Sequence, residues 1–245
     1  MERRVVAVPE LFLGLLSLAV AAVLIGHMVA STIHDARRTR DTISITGSAR
    51  KPISSNLVQW SISVSGNAAT PVAAARKLHA ESAATVAFLR RAGVPSGAIT
   101  PEVVESETIV TRISKKKTRT SYRVSQDLEI ETKRIDVVEG VAPRLGELLE
   151  RGIDVSASPL AYVSTDLAQA KLDALEAATA EAHHRAEILV KGLGGKLGPM
   201  RASSLGVYQI TPRNSTDVSD YGVNDTSTRL KDVTAVVSAT FAVKR

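Results

Sequence analysis

The sequence predicts an α+β fold: antiparallel sheets with helices packed on one face, in ββα-type units, preceded by one N-terminal transmembrane helix. Three observations carry this expectation. Leu11 to Ile33 is a 23-residue run without a formally charged side chain. Downstream, segments of apolar–polar alternation come in neighbouring pairs, and helical spacing follows the first two pairs. The helical segments open on capping residues and close on glycine.

The composition of the 245 residues narrows the class further. Hydrophobic residues reach 44%, with 15 glycines and 9 prolines, so a disordered or collagen-like chain is excluded. The absence of cysteine excludes a disulfide scaffold, a thiolate zinc site, an iron–sulfur cluster and a cysteine nucleophile.

As a helix the N-terminal run would be about 35 Å long, enough for a hydrocarbon core of roughly 30 Å. A cleaved signal peptide usually has an apolar stretch of only about 7–15 residues, and no clean A-x-A site follows this one. The preferred reading is an uncleaved signal-anchor that puts Leu11, Leu15, Leu18, Leu24 and Ile25 into membrane lipid. Arg3 and Arg4 precede the run, while Arg37, Arg38 and Arg40 follow it. Counting side chains leaves the orientation open and leans slightly toward a cytoplasmic C-terminal domain. The chain divides into an anchor and linker, 1–40, and an α+β domain, 41–245. The first part carries five basic and three acidic residues, so +2 of the net +6 lies there and +4 in the domain. That is too mild and too spread for a nucleic-acid binder.

Within the domain, Ile43, Ile45 and Gly47 begin a short strand, and Pro52 to Asn56 reads as a turn. Val58, Trp60, Ile62 and Val64 alternate with polar residues, as in a half-buried strand. Thr70-Pro71 starts a helix with a cap and a first-turn proline; Val72, Ala75, Leu78, Ser82, Val86 and Leu89 form its stripe, and Gly93 and Pro95 stop it. Ile99 to Ile113 is extended but irregular. Tyr122, Val124, Leu128 and Ile130 share one strand face, and Ser114 to Thr118 is the hairpin tip between these two strands. Asp136 to Arg151 reads as a helix, Ala157 to Thr165 as a short strand, and Asp166 caps a helix reaching Leu193. In that helix Ala168, Leu172, Leu175, Thr179, Ala182, Ala186, Leu189 and Leu193 alternate spacings of four and three, as in a coiled-coil seam. Half of these positions are Ala or Thr, which favours close packing on a sheet. Ala202 to Pro212 is a strand, Arg213 to Lys231 a polar loop, and Val233 to Val243 the last alternating strand.

Ile43-Ser-Ile-Thr-Gly-Ser48 followed by Pro52, the strand end Val64-Ser-Gly66 and Leu89-Arg-Arg-Ala-Gly93-Val94 resemble the first half of the SIMPL-domain proteins. Gly152-Ile-Asp154, the Ala-rich helix, Leu193-Gly-Gly-Lys-Leu-Gly198 and the terminal Val-Thr-Ala-Val-Val-Ser-Ala-Thr-Phe resemble the second half. Pro52-Ile53 departs from the frequent Pro-Asp, and the Arg213–Lys231 loop lacks the usual Pro-Gly. The resemblance implies an exported or membrane-anchored bacterial domain that faces the periplasm; with the apolar run, the expectation is an inner-membrane protein, single-pass. It implies no established reaction and no cofactor, and it implies self-association into ring-like homo-oligomers in some relatives, with a scaffold or envelope-stress role.

Candidate chemistry is sparse. Lys115, Lys116 and Lys117, with Arg119, form the densest basic cluster, suited to anionic lipid head groups or glycan; a solvated turn that discourages edge aggregation is the plainer reading. His183 and Glu187 share a helix face but supply only two of the ligands that a metal site needs. The Gly192–Gly198 glycines follow a helix and do not match G-x-G-x-x-G. No G-x-S-x-G or phosphate-binding loop occurs. An enzyme is not expected.

Overall fold

The structure is a computed structural model that describes residues 19–21, 24–25, 41–114 and 117–244. The N-terminal run lies mostly outside the described residues, Leu11, Leu15 and Leu18 included; Leu24 and Ile25 are helical and exposed. Among the described residues no helix is long and apolar enough to cross a membrane.

The elements run β1 (Thr42–Ser54), β2 (Leu57–Ala68), α1 (Pro71–Arg91), β3 (Ile99–Ser114), β4 (Lys117–Thr132), α2 (Ile135–Val141), α3 (Gly146–Glu150), β5 (Val155–Ala157), β6 (Ala161–Val163), α4 (Leu167–Gly192), β7 (Lys196–Leu205), β8 (Gln209–Pro212), β9 (Val223–Asn224) and β10 (Leu230–Lys244). One sheet has the order β1-β10-β8-β9, with β7 also on β10; the other has β3-β4-β2-β5, with β6 also on β2. Apart from the short parallel β8–β9 pair, the registered pairings are antiparallel. The expected α+β class therefore holds. The chain forms two compact units, Met1–Ser48 with Ala178–Gly206 and Val237–Arg245, and Ala49–Ala177 with Val207–Val236.

In the second unit α1 lies on β2 and β4. Thr70 caps it, its Oγ1 accepting from the Ala73 amide at 3.3 Å, with proline in the first turn. The buried side chains are Ala74, Leu78, Glu81, Thr85, Phe88 and Leu89, whereas Val72 of the expected stripe is exposed. The reason lies in β2. A Cβ on Gly66 would fall 2.4 Å from the Ala74 carbonyl oxygen and 2.5 Å from the Leu78 nitrogen, so helix backbone rests on strand backbone and that contact sets the phase of the helix. Val58, Trp60, Ile62 and Val64 point into this core as expected.

Four other expectations are corrected here. β1 continues through Pro52 to Ser54 instead of turning there. It ends the strand order, an edge where a missing N–H is tolerated. The Asp136–Arg151 helix is broken into α2, a 3-10 turn at Ala142–Leu145 and α3, because Pro143 cannot donate and crowds the preceding turn. The expected strand Ala157–Thr165 is two strands flanking Pro159, both paired to β2. Finally, Arg213–Lys231 is not all loop: β9 pairs with β8, and the Gln209 side chain holds Ser219 through its carbonyl and amide at 2.7 and 3.3 Å.

The long helix α4 forms as expected and ends on Gly194, which adopts φ 76°. Its buried positions are Ala170, Ala174, Ala178, Ala182, Ala186 and Val190, a strict four-residue series. The leucines of the expected seam are not buried: Leu172 is 58% and Leu193 83% exposed. In the first unit a Cβ on Gly47 of β1 would lie 2.4 Å from both the Ala178 oxygen and the Ala182 nitrogen. Only alanine fits under so close a helix. Ala182 and Ala186 pack with Ala239 and Phe241 of β10, beside Ile43, Ile45 and Leu197.

Candidate functional site: a basic two-stranded arm

The β3–β4 hairpin outruns its sheet. Pairing between β2 and β4 stops at Ala68↔Tyr122, whereas β3 and β4 remain paired to Ser114↔Lys117. Beyond Thr108↔Tyr122 the hairpin is thus a two-stranded ribbon, and β3 is an edge strand along its whole length. The alternation that buries Val124, Leu128 and Ile130 has no helix to meet on this ribbon. Val110 is 62% and Ile113 51% exposed.

Of the expected tip residues, Lys115 and Lys116 lie outside the described residues. Lys117 and Arg119 end the arm together with Arg112, all exposed. Among the described residues none of the three has an ion-pair partner. Arg123, nearer the sheet, is engaged: it pairs with Glu107 at 3.7 Å and donates to the Asn67 side chain at 3.2 Å. Along the sheet face turned away from α1 the register brings Glu131 beside Gln59, Glu129 beside Ser61 and Asp127 beside Ser63, with Glu105 and Glu107 across from Ser125 and Arg123. The hairpin is therefore acidic at its root and basic at its tip.

A second polar knot was not foreseen. Lys231, the first buried residue of β10, donates to the Tyr162 and Asp225 carbonyls at 2.6 and 2.5 Å. Burial lowers its pKa, opposed by the charge of Asp225. A cavity of about 110 Å³ beside it is lined by Ile53, Tyr162, Leu167, Ile210 and Asp225, among others. Asp225 is itself saturated: Ser227 and Thr228 give it backbone and hydroxyl donors. The Asp-Thr-Ser-Thr run signals such a turn, but nothing in the sequence distinguishes Lys231 from the solvated lysines.

The His183–Glu187 pair is present at 3.7 Å, with both side chains exposed. The His183 ring meets Phe241 edge-on at 5.7 Å, so it covers the small alanine–phenylalanine core. Among the described residues no group of three His, Asp or Glu side chains converges as a metal would require. A groove of about 730 Å³ runs along α1 past His79, Ser82, Arg90, Arg91 and Gln126, where the Ser82 hydroxyl donates to the Gln126 side-chain carbonyl at 3.2 Å.

Fold and site together define an α+β domain of two antiparallel-dominated sheets with a projecting, charge-segregated hairpin. The SIMPL family model, described as a protein of unknown function (DUF541), matches residues 43–241, and the chain belongs to that family. No curated protein matches. Among solved structures, a hydantoinase/carbamoylase family amidase from Burkholderia ambifaria is similar at 17% identity and TM-score 0.22, over 54% of this chain and 34% of the amidase. The regulatory subunit of aspartate kinase from Thermus thermophilus is similar at 13% identity and TM-score 0.15, over 79% and 88%. This chain spans about a third of the amidase's length, and at such TM-scores neither likeness bears on activity.

Proposed function

We propose that this SIMPL-family chain is a membrane-anchored extracytoplasmic protein that works by self-association, as a non-enzymatic scaffold or envelope-stress component at the outer face of a bacterial inner membrane. The observation that carries this reading is the arm. A two-stranded ribbon with free edges is marginal in water, and an exposed edge strand invites pairing with another chain. Val110 and Ile113 give such a contact apolar area.

Charge favours a second copy as the partner. Arg119 and Glu129 are ten residues apart on β4, about 33 Å at 3.3 Å per residue, several times a Debye length of roughly 8 Å. The tip therefore cannot neutralise its own acidic root, whereas the root of a neighbouring copy presents Asp127, Glu129 and Glu131 to it.

Light scattering of the full chain in detergent tests this. Lys117→Glu/Arg119→Glu and Asp127→Lys/Glu129→Lys should each lower the assembled mass at least twofold, and mixing the two variants should restore it. A wild-type chain that stays monomeric at low salt would sink the reading. The second reading, an arm that binds anionic lipid or glycan, draws on the three tip cations without partners among the described residues. It is favoured if residues 41–245, freed of the apolar run, float with anionic liposomes while the tip variant of the same piece does not, and the wild type remains monomeric.

A further inference from the structure

We propose that the end of the first unit where the chain enters β1 is a lipid-docking surface: Leu193 and Leu189, flanked by Lys191, Lys196 and Lys244, seat on the anionic surface of the membrane that holds the chain's own N-terminal run. This rests on the anchoring reading above and names the lipid contact that the anchor makes possible.

Several observations meet at this end. The Asp41 carbonyl accepts from the Val243 amide at 2.8 Å, which fixes the chain's entry beside the end of β10. An apolar cavity of about 590 Å³ opens there, lined by Thr42, Ile43, Val190, Leu193, Gly195 and Val243. Leu193 is 83% exposed at its lip. Helix termination does not account for that leucine: Gly194 turns the chain at φ 76°, and the Gly195 amide closes on the Val190 carbonyl at 2.9 Å. Lys196 pairs directly with Lys244 across β7 and β10, and Lys191 is the basic residue of the last turn of α4. Like charges opposite one another on a sheet are unfavourable, and an anionic surface would relieve this pair. Asp41 is the acidic side chain in the group.

The tether makes a weak contact sufficient. Seven residues, 34–40, separate the apolar run from Asp41, a reach of at most about 25 Å. Once the run is anchored, docking is intramolecular and needs little intrinsic affinity. A leucine lip with lysines at its border is the arrangement that inserts shallowly while its ammonium groups stay among the head groups.

The chain has no cysteine, so Leu193→Cys in the full chain takes a single spin label. In nanodiscs rich in phosphatidylglycerol the label should be relaxed more by oxygen than by a water-soluble nickel chelate. That preference should reverse in a Lys191→Glu/Lys196→Glu/Lys244→Glu background with an unchanged circular dichroism spectrum, and fall in phosphatidylcholine discs. A label that stays in water while the chain co-purifies with anionic discs overturns the docking surface and leaves the anchor intact. A label in lipid that ignores the charge reversal overturns the role of the lysines. A chain that never enters the discs overturns the anchoring reading and this proposal with it.

Discussion

Asp225 is the residue around which the segment between β9 and β10 turns. Burial opposes ionisation of its carboxyl, but the hydroxyls of Ser227 and Thr228 and the Ser227 amide outweigh that and hold its pKa below the ordinary 3.8. The native state therefore takes up this proton less readily than the unfolded chain, so the stabilisation is complete above about pH 3.8 and is lost as the pH falls through the lowered value. Asp225→Asn is expected to lower the denaturation midpoint at pH 7, and its deficit against wild type should shrink steadily below pH 3.8; urea titrations across pH 2.5–7 measure this. A constant deficit would mean that the carboxylate's charge is irrelevant to the turn. At the same scale Gly47 and Gly66 show what a sequence conveys least. Gly47 reads as a residue within a strand and Gly66 as a strand end, yet each admits a helix backbone to within 2.5 Å of where a Cβ would stand.

That close approach decides what each helix buries. The existence of α1 and α4, their caps and their stops were all legible, because proline, threonine and glycine act locally. The buried faces were not. Hydrophobicity places Leu172, Leu189 and Leu193 inside, whereas the glycine on the facing strand leaves room only for the alanine series. Pro143 was visible, but a proline within a helical pattern kinks some helices and breaks others, so the split into α2 and α3 needed the structure. The arm was legible as a hairpin with a basic tip; its projection was not, since the end of β2 pairing depends on register. The alanine series makes an inverted prediction. Ala182→Leu should destabilise the fold by about 1–3 kcal/mol, as overpacking does, while Leu172→Ala should stay within about 0.5 kcal/mol of wild type, as exposed substitutions do. Chemical denaturation of both variants decides the matter; the opposite order would mean that the leucines, not the alanines, face the sheet.

For the whole molecule, the anchoring proposed above makes the side of the membrane that the domain occupies a measurable consequence. The charge count is balanced when the amino terminus is included and opposes export slightly by side chains alone: Arg3 and Arg4 precede the run, and Arg37, Arg38 and Arg40 follow it. Basic residues close to a span favour the cytoplasmic side, so in the proposed anchored chain those three arginines would hinder translocation of the domain behind them. Export, which the functional proposal requires, is then expected to be incomplete or slow in the native chain and to improve when the hindrance is removed. Alkaline phosphatase joined after Arg245 should be active, and Arg37→Gln/Arg38→Gln/Arg40→Gln should raise that activity while a cytoplasmic fluorescent reporter at the same place stays dark. The converse pattern, a bright fluorescent fusion and an inactive phosphatase, would put the domain in the cytoplasm. The acidic root and basic tip of the arm would still be available for self-association there, but the lipid met by Leu193 and its lysines would be that of the inner leaflet.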